Sequence, residues 1–144
     1  MYTIGIDLGG TNIAVGLCDE NLTIIDKTSV RTRGYRPADE IVADMANVSR
    51  ELIERNGLTA NDIEYVGIAI PGAVVPEKGM IEFTSNLPFI EYPIADEFRK
   101  LLPVSKILIN NDDVGLMKIT YNRHFDLITV LKEKKLLNFS RLSK

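Results

Sequence analysis

The sequence holds a single cysteine and a single histidine among its 144 residues. One cysteine, Cys18, excludes an internal disulfide and any multi-cysteine zinc site. Its place on an alternating apolar segment reads as a packed thiol rather than a reactive one. His124 has no cysteine partners with which to build a metal centre, so no zinc site is expected. No apolar run approaches the ~20 residues that a membrane helix needs, and the N-terminus lacks the basic-then-apolar pattern of a secretion signal. These absences predict a cytoplasmic protein with no membrane partner. What is present is the balance of a folded domain, 45% hydrophobic and 26% charged, in a length that suits one core. The net charge of −3 is unevenly spread. Residues 1–117 carry 10 Lys+Arg against 18 Asp+Glu, net −8, and residues 118–144 carry 7 against 2, net +5. A basic tail can mark nucleic-acid binding. Here the basic residues are interleaved with Leu, Ile and Phe, and no nucleic-acid partner is expected.

The stretch Gly5-Ile6-Asp7-Leu8-Gly9-Gly10-Thr11-Asn12-Ile13-Ala14-Val15-Gly16-Leu17 carries the strongest chemical signal. Two alternating apolar runs flank paired glycines, the pattern of a β-hairpin. Gly9 and Gly10 have no side chains, so a bulky anion can approach the backbone closely. Successive N–H groups in such a turn form an anion-binding concavity, and Thr11 and Asn12 add donors. Asp7 ends the first strand at the mouth of that concavity. A carboxylate beside a phosphate is poorly placed unless a metal ion lies between them, and Mg²⁺ favours carboxylate oxygens plus substrate phosphates. The stretch therefore suggests a nucleotide phosphate with Mg²⁺. The same residues also suit an ordinary glycine hairpin with a solvated Asp7.

Along the chain, a third strand is expected over residues 22–30, completing an antiparallel meander. Pro37 suits the first turn of a helix. From Ala38 to Arg55, Ile41, Met45, Val48 and Leu52 step by four, three and four, a one-faced amphipathic helix that Asn56-Gly57 would stop. Ile63 to Ile70 reads as a strand buried on both faces, ending in Pro71-Gly72. Two short strands are expected around the turn Pro76-Glu77-Lys78-Gly79. A polar loop, Thr84-Ser85-Asn86-Leu87-Pro88, follows, then a short helix over residues 93–102. A buried strand over residues 103–109 leads into Asn110-Asn111-Asp112-Asp113. Strands separated by helical crossovers make an α/β sheet, whose ligands gather at the carboxyl ends of strands. Asp7, Pro71-Gly72 and Asn111-Asp112 all fall at such ends, with Asn86 in a nearby loop.

Three separated motifs are then in hand: Asp7-Leu8-Gly9-Gly10-Thr11; Gly67-Ile68-Ala69-Ile70-Pro71-Gly72 with Ser85-Asn86-Leu87-Pro88; and Asn111-Asp112. In this order and spacing they resemble the ROK family of sugar kinases and repressors, glucokinase-like proteins of the actin/hexokinase ATPase superfamily. The resemblance covers residues 1–114. It implies the N-terminal domain of a ribonuclease H-like fold, a three-stranded meander plus parallel strands with helices. It also implies ATP-dependent phosphorylation of a hexose such as glucose, with ATP and Mg²⁺ as cofactors. Gly9, Gly10 and Thr11 would line the phosphates, with Asp7 near the Mg²⁺. Asn86 and Asn111 would hydrogen-bond sugar hydroxyls, as planar amides both donate and accept. Asp112 would be the general base that takes the proton from the attacking hydroxyl. Each has a plainer reading beside this one: Asn86 shapes the loop before Pro88, Asn111 stabilises a turn, and Asp112 caps a helix.

The chain departs from the resemblance after Gly115. The family's Glu-Asn-Asp-Ala-Asn stands here as Asn110-Asn111-Asp112-Asp113-Val114. Residues 115–144 carry no family pattern. Their apolar spacing permits an amphipathic helix, and a shifted reading frame or premature end is the expected origin. Incomplete kinase or non-catalytic sugar- or phosphate-binding remnant are the two functional expectations, with self-association through an exposed apolar face as the expected consequence of a missing lobe. A phosphatase with an aspartyl nucleophile would want a second Asp where Gly9 stands. A repressor would carry a helix-turn-helix before the first strand. A dinucleotide fold would place its glycines between a strand and a helix.

Overall fold

Apolar alternation builds the first three strands as expected. In the computed structural model, which describes residues 1–21 and 23–111, they are β1 (Tyr2–Leu8), β2 (Asn12–Cys18) and β3 (Ile24–Arg31), joined antiparallel. Strand β3 starts later than the apolar pattern suggested. The Asp19 carboxylate accepts the N–H groups of Asn21 and Thr23, at 2.9 and 3.0 Å. The turn is thereby held open through Thr23, and the ladder begins at Ile24. Cys18 is fully buried, and burial, helped by the charge of Asp19, pushes its thiol up to about 12.

Helix α1 (Ala38–Arg55) buries Ile41, Val42, Met45, Leu52 and Ile53 on one stripe. It ends as Asn56-Gly57 predicts. Gly57 is left-handed at φ +73, its N–H donates to Glu54 O, and the Leu58 N–H donates to Ile53 O. This paired closure satisfies carbonyls the helix would otherwise leave open. The chain then enters β4 (Ile63–Ile70), whose side chains are buried on both faces. Strand β4 lies parallel to β1, as its apolar run implied.

A second, antiparallel sheet follows: β5 (Gly72–Val75), β6 (Met80–Thr84) and β7 (Ile90–Tyr92). Strand β7 has no sequence signal of its own; its three residues are half or fully exposed. A short 3₁₀ turn over Pro76–Lys78 closes on Gly79, left-handed at φ +62. Helix α2 (Ile94–Leu101) sits within the expected span and buries Ile94, Ala95 and Phe98.

The last described strand, β8 (Ile107–Asn111), is displaced from its expected position at residues 103–109. Pro103 has no N–H to give, and the Val104 N–H bends back to Leu102 O at 2.8 Å. Pairing therefore begins only at Ile107. It runs parallel to β4, with Asn110 opposite Ala69 and Asn111 opposite Ile70. The main sheet has the order β3-β2-β1-β4-β8. Helix α1 packs on β2 and β3, α2 packs on β8, and the two helices touch. No helix among the described residues is long and apolar enough to cross a membrane. Leu22, Asp112, His124 and the segment 115–144 lie outside the described residues.

Helix α1 is tied to the meander by a forked ion pair. Arg55 donates through Nε and Nη2 to the two carboxylate oxygens of Asp26, both at 2.7 Å, and Asn56 Nδ2 adds a bond at 2.8 Å. The Arg55 guanidinium holds the Asp26 carboxyl well below the usual carboxylate range, against a smaller opposing effect of burial. A carboxyl whose pKa falls on folding stabilises above its unfolded pKa, about 3.9, and loses that contribution as pH falls. Asp26→Asn should therefore melt below the wild-type chain at neutral pH. The two melting temperatures should converge as the pH is taken from about 4 downward. A gap that stays constant across that range would show that the carboxylate charge is not its source.

Candidate functional site

The parallel pairings set three strand ends side by side. Asp7, half-buried near the end of β1, faces Ala14 on one side and Ala69 on the other. Strand β4 runs one residue past that level to Ile70, which pairs with Asn111 of β8. Beyond these ends lies a cleft of about 490 Å³ lined by Gly10, Thr11, Pro71, Thr84, Ser85, Asn86 and Leu87. A hollow of about 430 Å³ along Thr23–Lys27 holds none of the predicted residues. Residues of the first two motifs, Gly10, Thr11, Pro71, Ser85, Asn86 and Leu87, thus line one opening.

The glycine turn divides into a structural half and an open half. Gly9 is buried, and its N–H donates to Asn12 O at 3.0 Å, closing the hairpin. Gly10 is exposed and Thr11 half-exposed, both on the cleft. Their N–H groups carry no hydrogen bond among the described residues. Two adjacent backbone donors, one with no side chain, are the donor set that a bulky anion needs. This fits a polyphosphate.

For the cation, no group of three or more His, Cys, Asp or Glu side chains gathers among the described residues. The Asp7 carboxylate suits Mg²⁺ held mostly by water and phosphate.

On the opposite wall, Thr84 organises the loop that carries Asn86. Its hydroxyl donates to Leu87 O at 2.8 Å and accepts the Phe89 N–H at 3.3 Å, while its own N–H donates to Phe89 O at 3.1 Å. Thr84 is 3% exposed, so these bonds form away from water, where each counts for more. Leu87 is buried beneath and Asn86 stays exposed above. Asn111 is placed differently from Asn86. Its Nδ2 donates to Gly72 O, and its N–H donates to Asn110 Oδ1 at 2.8 Å. The amide therefore ties β8 to the start of β5, beside the Pro71 that lines the cleft. The structure brings together Gly10, Thr11 and Asn86, places Asp7 and Asn111 at strand ends on either side of β4, and sets Gly9 behind the turn. Asp112 falls outside the described residues.

Two residues that shape the site carried no signal in the sequence. Thr32 is fully buried. Its hydroxyl donates to Gly9 O at 2.7 Å and its N–H donates to Thr11 O, also at 2.7 Å. Gly34 sits where the two walls meet. A Cβ there would stand 2.8 Å from Leu87 Cδ2, 3.2 Å from Asn86 O and 3.9 Å from Gly10 O. A loop such as 31–37 offers no periodicity from which such contacts could be read.

A model of the ROK family matches residues 3–117. The chain belongs to the ROK family. A glucokinase from Thermotoga maritima is 31% identical over 110 residues, covering 76% of this chain and 33% of that protein. An N-acetylmannosamine kinase from Vibrio cholerae is 33% identical over 109 residues, covering 73% of this chain and 35% of that protein. Among solved structures, a ROK family glucokinase from Streptomyces griseus, in complex with glucose and AMPPNP, superposes with a TM-score of 0.71 at 28% identity. That alignment covers 84% of this chain and 36% of the other. The chain thus spans about a third of the length of the curated relatives it matches. The expected fold, an α/β domain of the hexokinase-like ATPase type, is the one observed, and the lineage is that of sugar kinases.

Gly34 provides a test of how tightly the two walls meet. Its backbone is not left-handed, so Gly34→Ala would gain from a stiffer unfolded chain were there room. The added methyl meets the buried Leu87 side chain at 2.8 Å and the Asn86 backbone oxygen at 3.2 Å, and both must shift to admit it. Gly34→Ala should lose about 1–2 kcal/mol of stability, the usual cost of overpacking, measured by urea unfolding. Equal or higher stability would mean that the 84–88 loop gives way freely.

Proposed function

We propose that the chain supplies the phosphate turn and the sugar-facing groups of an ATP-dependent hexose kinase, acting on glucose or an N-acylated hexose. The observation that carries this reading is the single cleft shared by Gly10, Thr11 and Asn86, in a chain whose relatives are glucokinases and N-acetylmannosamine kinases. ATP, bound with Mg²⁺, supplies the transferable phosphoryl group. The Gly10 and Thr11 N–H groups hold its phosphates, and Asp7 stands toward the Mg²⁺. Asn86 and Asn111 orient sugar hydroxyls. Asp112, next in sequence to Asn111, takes the proton of the attacking hydroxyl. Positioning and charge neutralisation do most of the work in phosphoryl transfer, and a placed carboxylate base adds about 10²–10⁴-fold. The setting we infer is cytoplasmic.

A second reading is sugar or phosphate binding without turnover. By themselves the 144 residues span about a third of the relatives' length, and kinases of this design close two lobes around their substrates to exclude water. Two measurements on the 144-residue chain separate the readings. Glucose, N-acetylmannosamine or MgATP should raise the melting temperature under both, since a ligand that binds only the native state stabilises it. A coupled assay with MgATP should detect sugar phosphorylation only under the first, and Asp112→Asn should then lower kcat by at least about a hundredfold while leaving the thermal shift in place. Absence of any shift with either sugar and with MgATP would remove both readings.

A further inference from the structure

We propose that Thr32 is a positioning residue for the phosphate turn, braced from behind by Arg36 and Asp44. The proposal rests on the sugar-kinase reading above. The Gly10 and Thr11 N–H groups can meet an anion only if the turn holds one shape, yet paired glycines leave a turn with more backbone freedom than any other pair of residues. The hairpin's own closure is one bond, Gly9 N–H to Asn12 O. Thr32 adds two more from outside the hairpin, one on each flank of Gly10: hydroxyl to Gly9 O and N–H to Thr11 O, both at 2.7 Å. Gly10 is therefore pinned on both sides by one fully buried residue.

Thr32 is itself fixed. Arg36 donates from Nη2 to Thr32 O at 2.8 Å and to Asp44 Oδ2 at 2.6 Å, and from Nε to Arg33 O at 3.3 Å. The Arg36 side chain is 11% exposed and Asp44 is 29% exposed, so this is a largely desolvated fork rather than a surface pair. Asp44 lies within α1, and the fork thus transmits the rigidity of a packed helix to the turn. Arg33 is held at φ +50 between them, a conformation that a non-glycine residue keeps only where its surroundings over-determine it. The loop that follows β3 works as a bracket between α1 and the phosphate turn.

The test compares Thr32→Val, which keeps shape and removes the hydroxyl, with Thr32→Ser, which keeps the hydroxyl. Two readouts are taken on the 144-residue chain: amide hydrogen exchange by NMR without ligand, and calorimetric titration with MgATP and separately with glucose. In Thr32→Val the Gly9 and Thr32 amides should exchange about tenfold faster, the scale of one lost buried bond and an unsatisfied carbonyl, while Ile6 and Val15 keep their protection. MgATP should bind about tenfold more weakly and glucose within twofold of the wild-type value. Thr32→Ser should restore both, and Arg36→Lys should weaken MgATP binding a few-fold. Unchanged exchange at Gly9, or an equal loss of protection across β1 and β2, or equal loss of both ligands, would overturn the proposal. If the wild-type chain bound neither ligand, the kinase reading would fall. The exchange pattern alone would then decide whether Thr32 sets the turn: a local loss restored by serine supports it, and no loss overturns it.

Discussion

Two parallel pairings, β1 with β4 and β4 with β8, decide where this molecule can do chemistry. Parallel register brings carboxyl ends of strands to the same edge of a sheet. Here it places Asp7 across from Ala69, and Asn111 across from Ile70, so that the glycine turn, the Pro71-Gly72 corner and the amide of β8 share one rim. A slip of one residue in either pairing would turn the buried side chains of β4 toward the other face. The near-total burial of β4 makes such a slip costly, and the position of the cleft is thereby secured by core packing far from it.

The second sheet supplies the other wall. Ile81 of β6 and Phe89 beside β7 anchor it in the apolar core, and polar joints fix its edge. Gly72 allows this. A Cβ at that position would lie 2.3 Å from Phe83 O and 2.9 Å from the Thr84 methyl group, so β5 and β6 approach more closely than any side chain permits. The Asn111 amide then seals Gly72 O to β8. A buried hydroxyl, a missing side chain and a side-chain amide add direction here to the apolar contacts of Ile81 and Phe89. Such polar joints fix direction more sharply than apolar ones because each bond has its own geometry.

Much of this could be read from the residues, for a physical reason. The hairpin, α1, β4 and α2 are regular elements with one buried face or two, and period-two or period-3.6 burial prints itself on the sequence. Asp7, Gly10, Thr11, Asn86 and Asn111 stood out because turns and strand ends use distinctive residue types. What stayed hidden was everything set by contact rather than by period. Strand β7 is two exposed residues and a half-buried Tyr92, held by pairing with β6 and by the contacts of that one ring with Phe89 and Asp39. The late starts of β3 and β8 come from an Asp19 side chain and from a proline whose neighbours turn back. Gly5, Gly16 and Gly67 are separate small residues in three runs, yet register aligns them in one row across β2, β1 and β4. Thr32 and Gly34 act over 23 and more than 50 residues of sequence, and no local pattern reports a bond of that span.

The paired glycines carry an inherent conflict, and the loop after β3 resolves it. A phosphate site needs exposed N–H groups that no side chain shields, which favours glycine. Binding needs those groups already aimed, since any ordering left until the ligand arrives is subtracted from affinity. Glycine serves the first need and works against the second. Gly9 answers by giving up its own N–H to the hairpin and its carbonyl to Thr32, leaving only Gly10 and Thr11 facing the cleft. Order is thus imported from α1 through Arg36 and Thr32 instead of being built into the turn. Under the proposed phosphate reading, the affinity of the turn for an anion then depends on residues that never touch the anion.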